Sequence, residues 1–247
     1  MESFFEKKET KKKVRDFSKY FPTFNEELDR NLGGGIRTKS LGLIIGDMGA
    51  GKSVWCQQIA YGAMRASKQV TFISSEMSAR GIIDNMIALS YKHTEKYFLE
   101  GLFDVIPVIS QAGKVLRTPD VLVKLISIVT SIKTEIIIID SLTYFVGNPF
   151  SEKQVVLFFE ILKQISLAGK TIFVTIPTYY PELRDFIELN IMNICDLIME
   201  LTIREEDGES FRVAKLLKWS AEDEITPMLV YVVDSAFGIA VSVISSA

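Results

Sequence analysis

Histidine and cysteine are scarce in this chain of 247 residues. It has one histidine, His93, and two cysteines, Cys56 and Cys195, which lie far apart and form no CxxC pair. The usual Cys/His zinc sites need four such ligands, and a Ser-His-Asp triad needs a suitably placed histidine. We therefore expect neither kind of site. Both cysteines are predicted to be small core residues in a reducing compartment.

The chain also lacks an apolar run typical of a signal peptide or a membrane span. Residues 1–20 are charged, and no apolar segment follows them. Residues 228–247 are the most apolar stretch, but they contain Asp234, a glycine and many β-branched residues, which favours two adjacent strands. We therefore expect a soluble, cytoplasmic protein with no transmembrane segment.

No strong excess of either charge is present overall, since the net charge is −3. Residues 1–20 carry seven Lys/Arg and four acids, a net of +3, so that the remainder sums to −3 − 3 = −6. A basic arm of this kind could dock on an acidic partner or a membrane surface, and a solvated, poorly ordered terminus is the alternative. The predicted organisation is an arm, residues 1–20, and a single domain, residues 21–247.

Apolar strands alternate with amphipathic helices between residues 41 and 191, which predicts βα units around a parallel sheet. The most apolar strand is Ile136–Ile139, which ends at Asp140 and is typical of a central strand buried on both faces. From residue 197 onward, strands follow each other without helices, and Asp207-Gly208 indicates a hairpin turn. The predicted fold class is therefore α/β, with a mostly parallel central sheet flanked by helices and a C-terminal antiparallel meander.

A complete phosphate-loop motif, G-x-x-x-x-G-K-[ST], lies between the first apolar strand and a long helical pattern. Its residues are Gly46, Asp47, Met48, Gly49, Ala50, Gly51, Lys52 and Ser53. Glycines let the backbone turn its amides toward phosphate oxygens, and the helix adds its positive end. We expect Lys52 to reach the β- and γ-phosphates and the Ser53 hydroxyl to ligate Mg²⁺. The motif therefore predicts a site for a magnesium nucleotide.

Two carboxylates are candidates for the same edge of the sheet. Asp140 ends the isoleucine strand, which is expected to place it beside the first strand–helix turn, where it would hold a magnesium-bound water. Ser141 rather than a glutamate follows it, so a base directly beside the metal acid is missing. Glu76, just past the second strand, is the candidate water activator. An exposed loop carboxylate is the alternative for Glu76.

Several segments together resemble the RecA-like KaiC/RadA superfamily in their order and spacing. They are residues 27–36, the phosphate loop, residues 72–76, residues 136–143 and the ending 233–239. Within that superfamily, the length and the ending most resemble the FlaH (ArlH) family, the ATP-binding components of the archaellum motor. The resemblance implies a RecA-like core that can form a hexameric ring with ATP near the subunit boundaries. It also implies that Glu76 is the glutamate that activates water.

The FlaH resemblance further implies two partners, the archaellum motor ATPase and a scaffold ring at the membrane, and a peripheral position at the inner face of that membrane. Nucleotide occupancy, rather than fast turnover, would regulate assembly. One departure concerns a Lys-x-Arg of KaiC-type proteins that reaches a neighbour's γ-phosphate. Here the sequence reads Lys218-Trp219-Ser220, so that Lys218 is the candidate contact in trans and the arginine is lost. We therefore expect slow or no hydrolysis.

Two other functions stay open at this point. A RadA-like DNA-repair ATPase would bind DNA through the loops at residues 143–150 and 178–181, but these contain no Lys or Arg, whereas affinity for nucleic acid requires several cations. We therefore do not expect nucleic acid as a partner. An autokinase is the second alternative, since Ser74 and Ser75 precede Glu76. Two serines at the end of a strand are, however, common.

Overall fold

The computed structural model describes residues 18–108, 121–142, 151–178, 181–206, 208–221 and 225–242. Most of the predicted basic arm, residues 1–17, lies outside this part of the chain. Tyr20, the last residue of that arm, already pairs with Arg37 in a short antiparallel ribbon. Within the described ranges, no helix combines the length and the apolar character that crossing a bilayer requires.

The described chain alternates strands and helices up to residue 191 and then continues as strands alone. In order, the elements are β1 (Tyr20–Phe21), α1 (Glu26–Asn31), β2 (Ile36–Arg37), β3 (Leu41–Gly46), α2 (Lys52–Arg65), β4 (Val70–Ser74), α3 (Ala79–Ala88), α4 (Thr94–Leu99), β5 (Phe103–Pro107), α5 (Val121–Ser131), β6 (Ile136–Asp140), α6 (Glu152–Leu167), β7 (Thr171–Pro177), α7 (Pro181–Phe186), a π-helix (Ile187–Ile191), β8 (Leu197–Glu206), β9 (Glu209–Lys218), β10 (Met228–Asp234) and β11 (Gly238–Ser242).

A nine-stranded sheet has the order β11-β10-β9-β8-β3-β7-β6-β4-β5. The strands from β8 to β5 in this order are parallel, whereas β8, β9, β10 and β11 pair antiparallel. The predicted α/β fold class, with a mostly parallel sheet and a C-terminal antiparallel meander, is therefore confirmed.

Strand β6 shows why the sheet is covered on both faces. Ile136 and Ile138 belong to a core cluster that includes α2, and Ile137 and Ile139 belong to a second cluster that includes α5 and α6. All four side chains are buried. Because successive side chains of a strand point to opposite faces, four isoleucines in a row require an apolar layer on each side.

The parallel strands give the sheet two distinct edges. We call the edge at which β3, β4, β6 and β7 end the carboxyl edge, and the edge at which they begin the amino edge. Open α/β sheets bind ligands at the carboxyl edge, because the loops that leave the strands converge there. Functional side chains predicted at strand ends are thereby brought together.

The structure differs from the expected elements in a few places. The sequence pattern predicts one helix over residues 80–91, but α3 ends at Ala88, because Ser90 and His93 adopt positive φ angles of 59° and 68°, which a helix cannot contain. The chain then forms α4, a helix of six residues that the sequence pattern does not predict. The pattern also predicts a helix over residues 181–191, and this helix is present, but its second half is a π-helix.

Candidate nucleotide site

The phosphate loop joins the end of β3 to the start of α2. Gly49 and Gly51 adopt φ angles of 80° and 98°, in the left-handed region that favours glycine. Gly51 is the N-cap of α2, and no side chain caps this helix or adds an acid to its first turn. The first amides of α2 are therefore left for another acceptor, and the helix dipole favours an anionic one.

Lys52 lies at the rim of this loop. Its Nζ donates to the carbonyl oxygens of Gly46 and Asp47, each at 2.8 Å. Burial lowers the pKa of Lys52 below its ordinary value, and the charges of Asp140, Glu76 and Asp47, in that order, oppose the shift. The ammonium group therefore shares one electrostatic environment with three carboxylates, as expected of a cation at the mouth of a phosphate site.

Asp140 is buried at the carboxyl edge. The Thr175 hydroxyl donates to its Oδ1 at 2.7 Å. Burial raises the pKa of Asp140, and hydrogen bonds from Thr175 and Ser53, together with the Lys52 charge, oppose that rise. Strand β7 lies between β6 and β3, so that Asp140 is not directly beside the first strand–helix turn, yet its side chain still reaches Ser53.

The pair formed by Ser53 and Asp140 fits a magnesium ion. A hydroxyl and a carboxylate are the hard oxygen ligands that Mg²⁺ takes, and the metal retains several waters. A cation there would also offset the cost of keeping Asp140 charged while buried. The residues present are thus chemically suited to Mg²⁺ bound together with the phosphates of a nucleotide.

Glu76 is exposed at the same edge, just beyond β4. The Ser141 hydroxyl donates to its Oε1 at 3.3 Å, so Glu76 lies next to the residue that follows Asp140. The two serines before it are buried. Ser74 Oγ accepts from the backbone amides of Glu76 and Met77. Ser75 Oγ forms hydrogen bonds with the backbone of Ser141. Ser74 therefore holds the backbone around Glu76, and Ser75 holds the backbone of Ser141, whose hydroxyl contacts Glu76.

Other contacts to the phosphate loop were not predicted from the sequence. The Thr178 hydroxyl donates to Asp47 Oδ1 at 3.2 Å, and Arg212 Nε donates to the Gly49 carbonyl at 3.1 Å. The Tyr231 hydroxyl donates to the Ala50 carbonyl. These residues come from the end of β7 and from the meander. Since no motif marks them, only the strand order reveals that they support the loop.

Comparison with known proteins identifies the family. A sequence profile described as "ATPase: KaiC" matches residues 21–245. The chain belongs to the KaiC family of ATPases. The part of the chain that matches includes the phosphate loop, Glu76, Asp140 and the complete meander.

The chain is also similar to FlaH over nearly its whole length, as its sequence resemblance predicted. The archaeal flagellar ATP-binding protein FlaH of Methanocaldococcus jannaschii is 30% identical over 228 residues, which is 90% of this chain and 94% of that protein. The crystal structure of flagellar accessory protein FlaH from the same organism superposes with a TM-score of 0.74 at 26% identity, over 88% of this chain and 95% of the other. DNA repair protein RadA of Mycolicibacterium smegmatis is 39% identical, but over 62 residues, 25% of this chain and 13% of that protein.

Lys218, the candidate KaiC-type contact in trans, lies away from the phosphate loop of its own chain. It is the last residue of β9, and its Nζ donates to the Cys195 carbonyl at 2.5 Å, just before β8 begins. Two residues on, Ser220 accepts a hydrogen bond from Arg37 at 2.9 Å. Lys218 is thus not part of the site within one chain, and a contact with a neighbour stays a prediction.

Proposed function

We propose that this chain is an ATP-binding regulatory subunit of an archaellum motor complex. The observation that carries the proposal is the joint placement of Lys52, Ser53 and Asp140 around the uncapped start of α2. The similarity to FlaH proteins along the whole domain supports the biological setting. In this setting the chain is cytoplasmic and is held at the membrane's inner face by its partners.

Binding of Mg-ATP would use the loop in a simple way. The amides of residues 49–53 would donate to the phosphate oxygens, and Lys52 would turn from the carbonyls of Gly46 and Asp47 toward the β- and γ-phosphates. Ser53 and Asp140 would hold Mg²⁺, Ser53 directly and Asp140 through a water, and the metal would supply positive charge beside the phosphates. The uncapped amides would thereby gain anionic acceptors, and Lys52 would exchange two neutral carbonyls for charged phosphate oxygens.

Hydrolysis is proposed to be slow. We propose that Glu76 orients the attacking water, but Ser220 stands where KaiC-type proteins have the trans-acting arginine. A missing guanidinium removes charge stabilisation of the phosphoryl-transfer transition state, which is worth about 10³-fold or more in rate. We expect phosphate release by the purified chain to stay far below one turnover per second. Turnover of many ATP molecules per second without partners would contradict this.

Nucleotide occupancy is proposed to control assembly with the motor ATPase and the scaffold ring, in a hexameric arrangement that places ATP near subunit boundaries. The test is capture of the motor ATPase by the immobilised chain, with and without Mg-ATP, for the wild type and for Lys52→Ala. Lys170→Ala is the matched control, since that lysine lies at the amino edge. We expect capture by the wild type and by Lys170→Ala to depend on ATP, and capture by Lys52→Ala to be the same with and without ATP. Equal capture under all conditions would refute the gating.

A further inference from the structure

The amino edge of the sheet carries a row of lysines. They come from distant parts of the sequence and precede, or pack beside, the starts of successive parallel strands. The row consists of Lys39 before β3, Lys170 before β7, Lys133 before β6 and Lys68 before β4, with Lys163 on α6 next to it. No sequence motif unites them, because the sheet order brings them together.

Direct contacts show that the row is continuous. The Lys39 amide donates to the Thr171 hydroxyl at the start of β7 at 2.9 Å. Lys170 Nζ donates to the carbonyls of Lys133 and Thr134, at 2.7 and 2.6 Å. Lys68 Nζ lies 2.9 Å from Glu135, one residue further along. Neighbouring strands are about 4.8 Å apart, so that these four lysines lie along a single edge.

Acids only partly balance this row. Lys68 pairs with Glu135, and Lys163 pairs with Asp196 at 2.5 Å. Five lysines and these two acids leave 5 − 2 = +3 along the row, in a chain whose net charge is −3. The side chains of Lys39 and Lys133 are exposed, and neither has a side-chain bond within the described part of the chain. The part of the edge from β3 to β4 is therefore a local positive surface on an acidic body, and an exposed acid, Glu100, lies beyond it before β5.

Exposed apolar side chains lie at the same edge. Leu167 is the last residue of α6 and is 63% exposed, and Leu99 is the last residue of α4 and is 83% exposed. Each ends a helix that leads into the start of a parallel strand. Nucleic acid or an acidic protein tail would require cations but not exposed leucines, whereas an anionic bilayer rewards both. The combination favours a lipid surface.

We propose that the amino edge, through Lys39, Lys133 and Leu167, contacts an anionic lipid surface directly. Lysine stems lie along the interface while their ammonium groups meet lipid phosphates, and the leucine enters the headgroup region. This contact would turn the phosphate loop, at the opposite edge, away from the bilayer and toward partners. Lipid contact and ATP binding use opposite edges of the sheet, so that an experiment can disprove one of them without affecting the other.

The test is flotation of the full-length chain with vesicles of phosphatidylcholine alone and of phosphatidylcholine mixed with phosphatidylglycerol. We expect binding to the mixed vesicles only, and loss of binding at high salt. Lys39→Gln combined with Lys133→Gln should weaken the partition coefficient about 30-fold, since each lysine near such a surface contributes about tenfold or less. Lys124→Gln combined with Lys153→Gln removes two exposed lysines in the first turns of α5 and α6, away from the amino edge, and should change the partition coefficient less than about twofold.

Two exposed leucines of α6, one at the amino edge and one away from it, test the apolar part of the contact. Leu167→Gln should weaken vesicle binding about threefold or more, whereas Leu157→Gln, at an exposed site near the other end of the helix, should not. Lys52→Ala should bind vesicles like the wild type. Three outcomes would overturn the proposal: equal binding to neutral vesicles, equal loss in the control variants, and loss only when Lys11, Lys12 and Lys13 of the N-terminal segment are changed to Gln.

Discussion

Two lysines at opposite edges of the sheet make almost the same contacts. Lys52 Nζ donates to the carbonyls of Gly46 and Asp47, and Lys170 Nζ donates to the carbonyls of Lys133 and Thr134. Burial lowers the pKa of both. A single acid, Glu135, opposes the shift at Lys170, whereas three acids oppose it at Lys52.

What separates the two edges is therefore the set of groups around the lysine. At the carboxyl edge, Lys52 faces Asp140, Glu76, Asp47 and the uncapped amides of α2. A divalent metal would offset the three carboxylates, and the lysine and the amides would then meet a polyphosphate. At the amino edge, Lys170 closes a turn between two strand starts. The same residue type thus serves ligand binding at one edge and loop structure at the other.

The largest expected effect is the difference in Mg-ATP affinity between Lys52→Ala and Lys170→Ala. Lys52→Ala should weaken Mg-ATP binding about 100-fold, or about 2.7 kcal/mol, because charge-assisted bonds to two phosphates are lost. Lys170→Ala should change the affinity less than about twofold and should instead lower the melting temperature. Calorimetric titration and thermal unfolding of both variants measure this. Similar affinity losses in the two variants would remove the functional distinction between the edges.

A smaller effect is expected from Asp140→Asn, which keeps the shape and removes the charge. The contribution of Mg²⁺ to ATP affinity should fall about tenfold, whereas ATP affinity measured in a chelator should not change. Asp104→Asn, at an exposed carboxylate on β5, is the control and should have no effect. Fluorescence titration with and without Mg²⁺ distinguishes the two contributions. An Asp140→Asn variant with full magnesium dependence would show that this carboxylate does not serve the metal.

The smallest effect is a shift of pH dependence. Because the pKa of Asp140 is raised above its ordinary value of 3.8, folding favours the protonated acid. The free energy of unfolding without nucleotide should therefore increase as pH falls through that pKa, while Mg-ATP affinity, which needs the charge, should decrease. Thr175→Val removes a hydrogen bond that lowers the pKa of Asp140. The loss of Mg-ATP affinity should therefore begin at a higher pH, and at a given acidic pH the variant should bind Mg-ATP a few-fold more weakly than the wild type.

Titration of Asp140→Asn over the same pH series is the control for this third prediction. It lacks the carboxyl group, so that only the protonation of ATP itself should remain visible. A wild-type profile that matches the Asp140→Asn profile at every pH would contradict the assignment of the acidic loss of affinity to Asp140.

Sequence reasoning predicted the residues that carry local signals. The phosphate loop has a spaced motif, and Asp140 follows four isoleucines whose burial on both faces requires a central strand. Both signals arise from a few consecutive residues and can be recognised without knowledge of the fold. The alternation of strands and helices was predicted for the same reason, apart from short elements such as α4.

Contacts that depend on strand order were not predictable. Thr175 reaches Asp140 because β7 lies between β6 and β3, and Tyr231 reaches the loop because β10 lies in the meander beside it. The lysines of the amino edge are more than sixty residues apart in places, and a net charge of −3 conceals them. Short α4 was missed because a helix of six residues shows too little periodicity.

A structure of the chain with bound Mg-ATP tests the central claim most directly. We predict that the β- and γ-phosphates lie within hydrogen-bond distance of Lys52 Nζ and of the amides of residues 49–53. Mg²⁺ should lie next to Ser53 Oγ, with Asp140 holding one of its waters. Nucleotide bound elsewhere, or a loop in which Lys52 still donates to Gly46 and Asp47 in the presence of saturating Mg-ATP, would contradict the account.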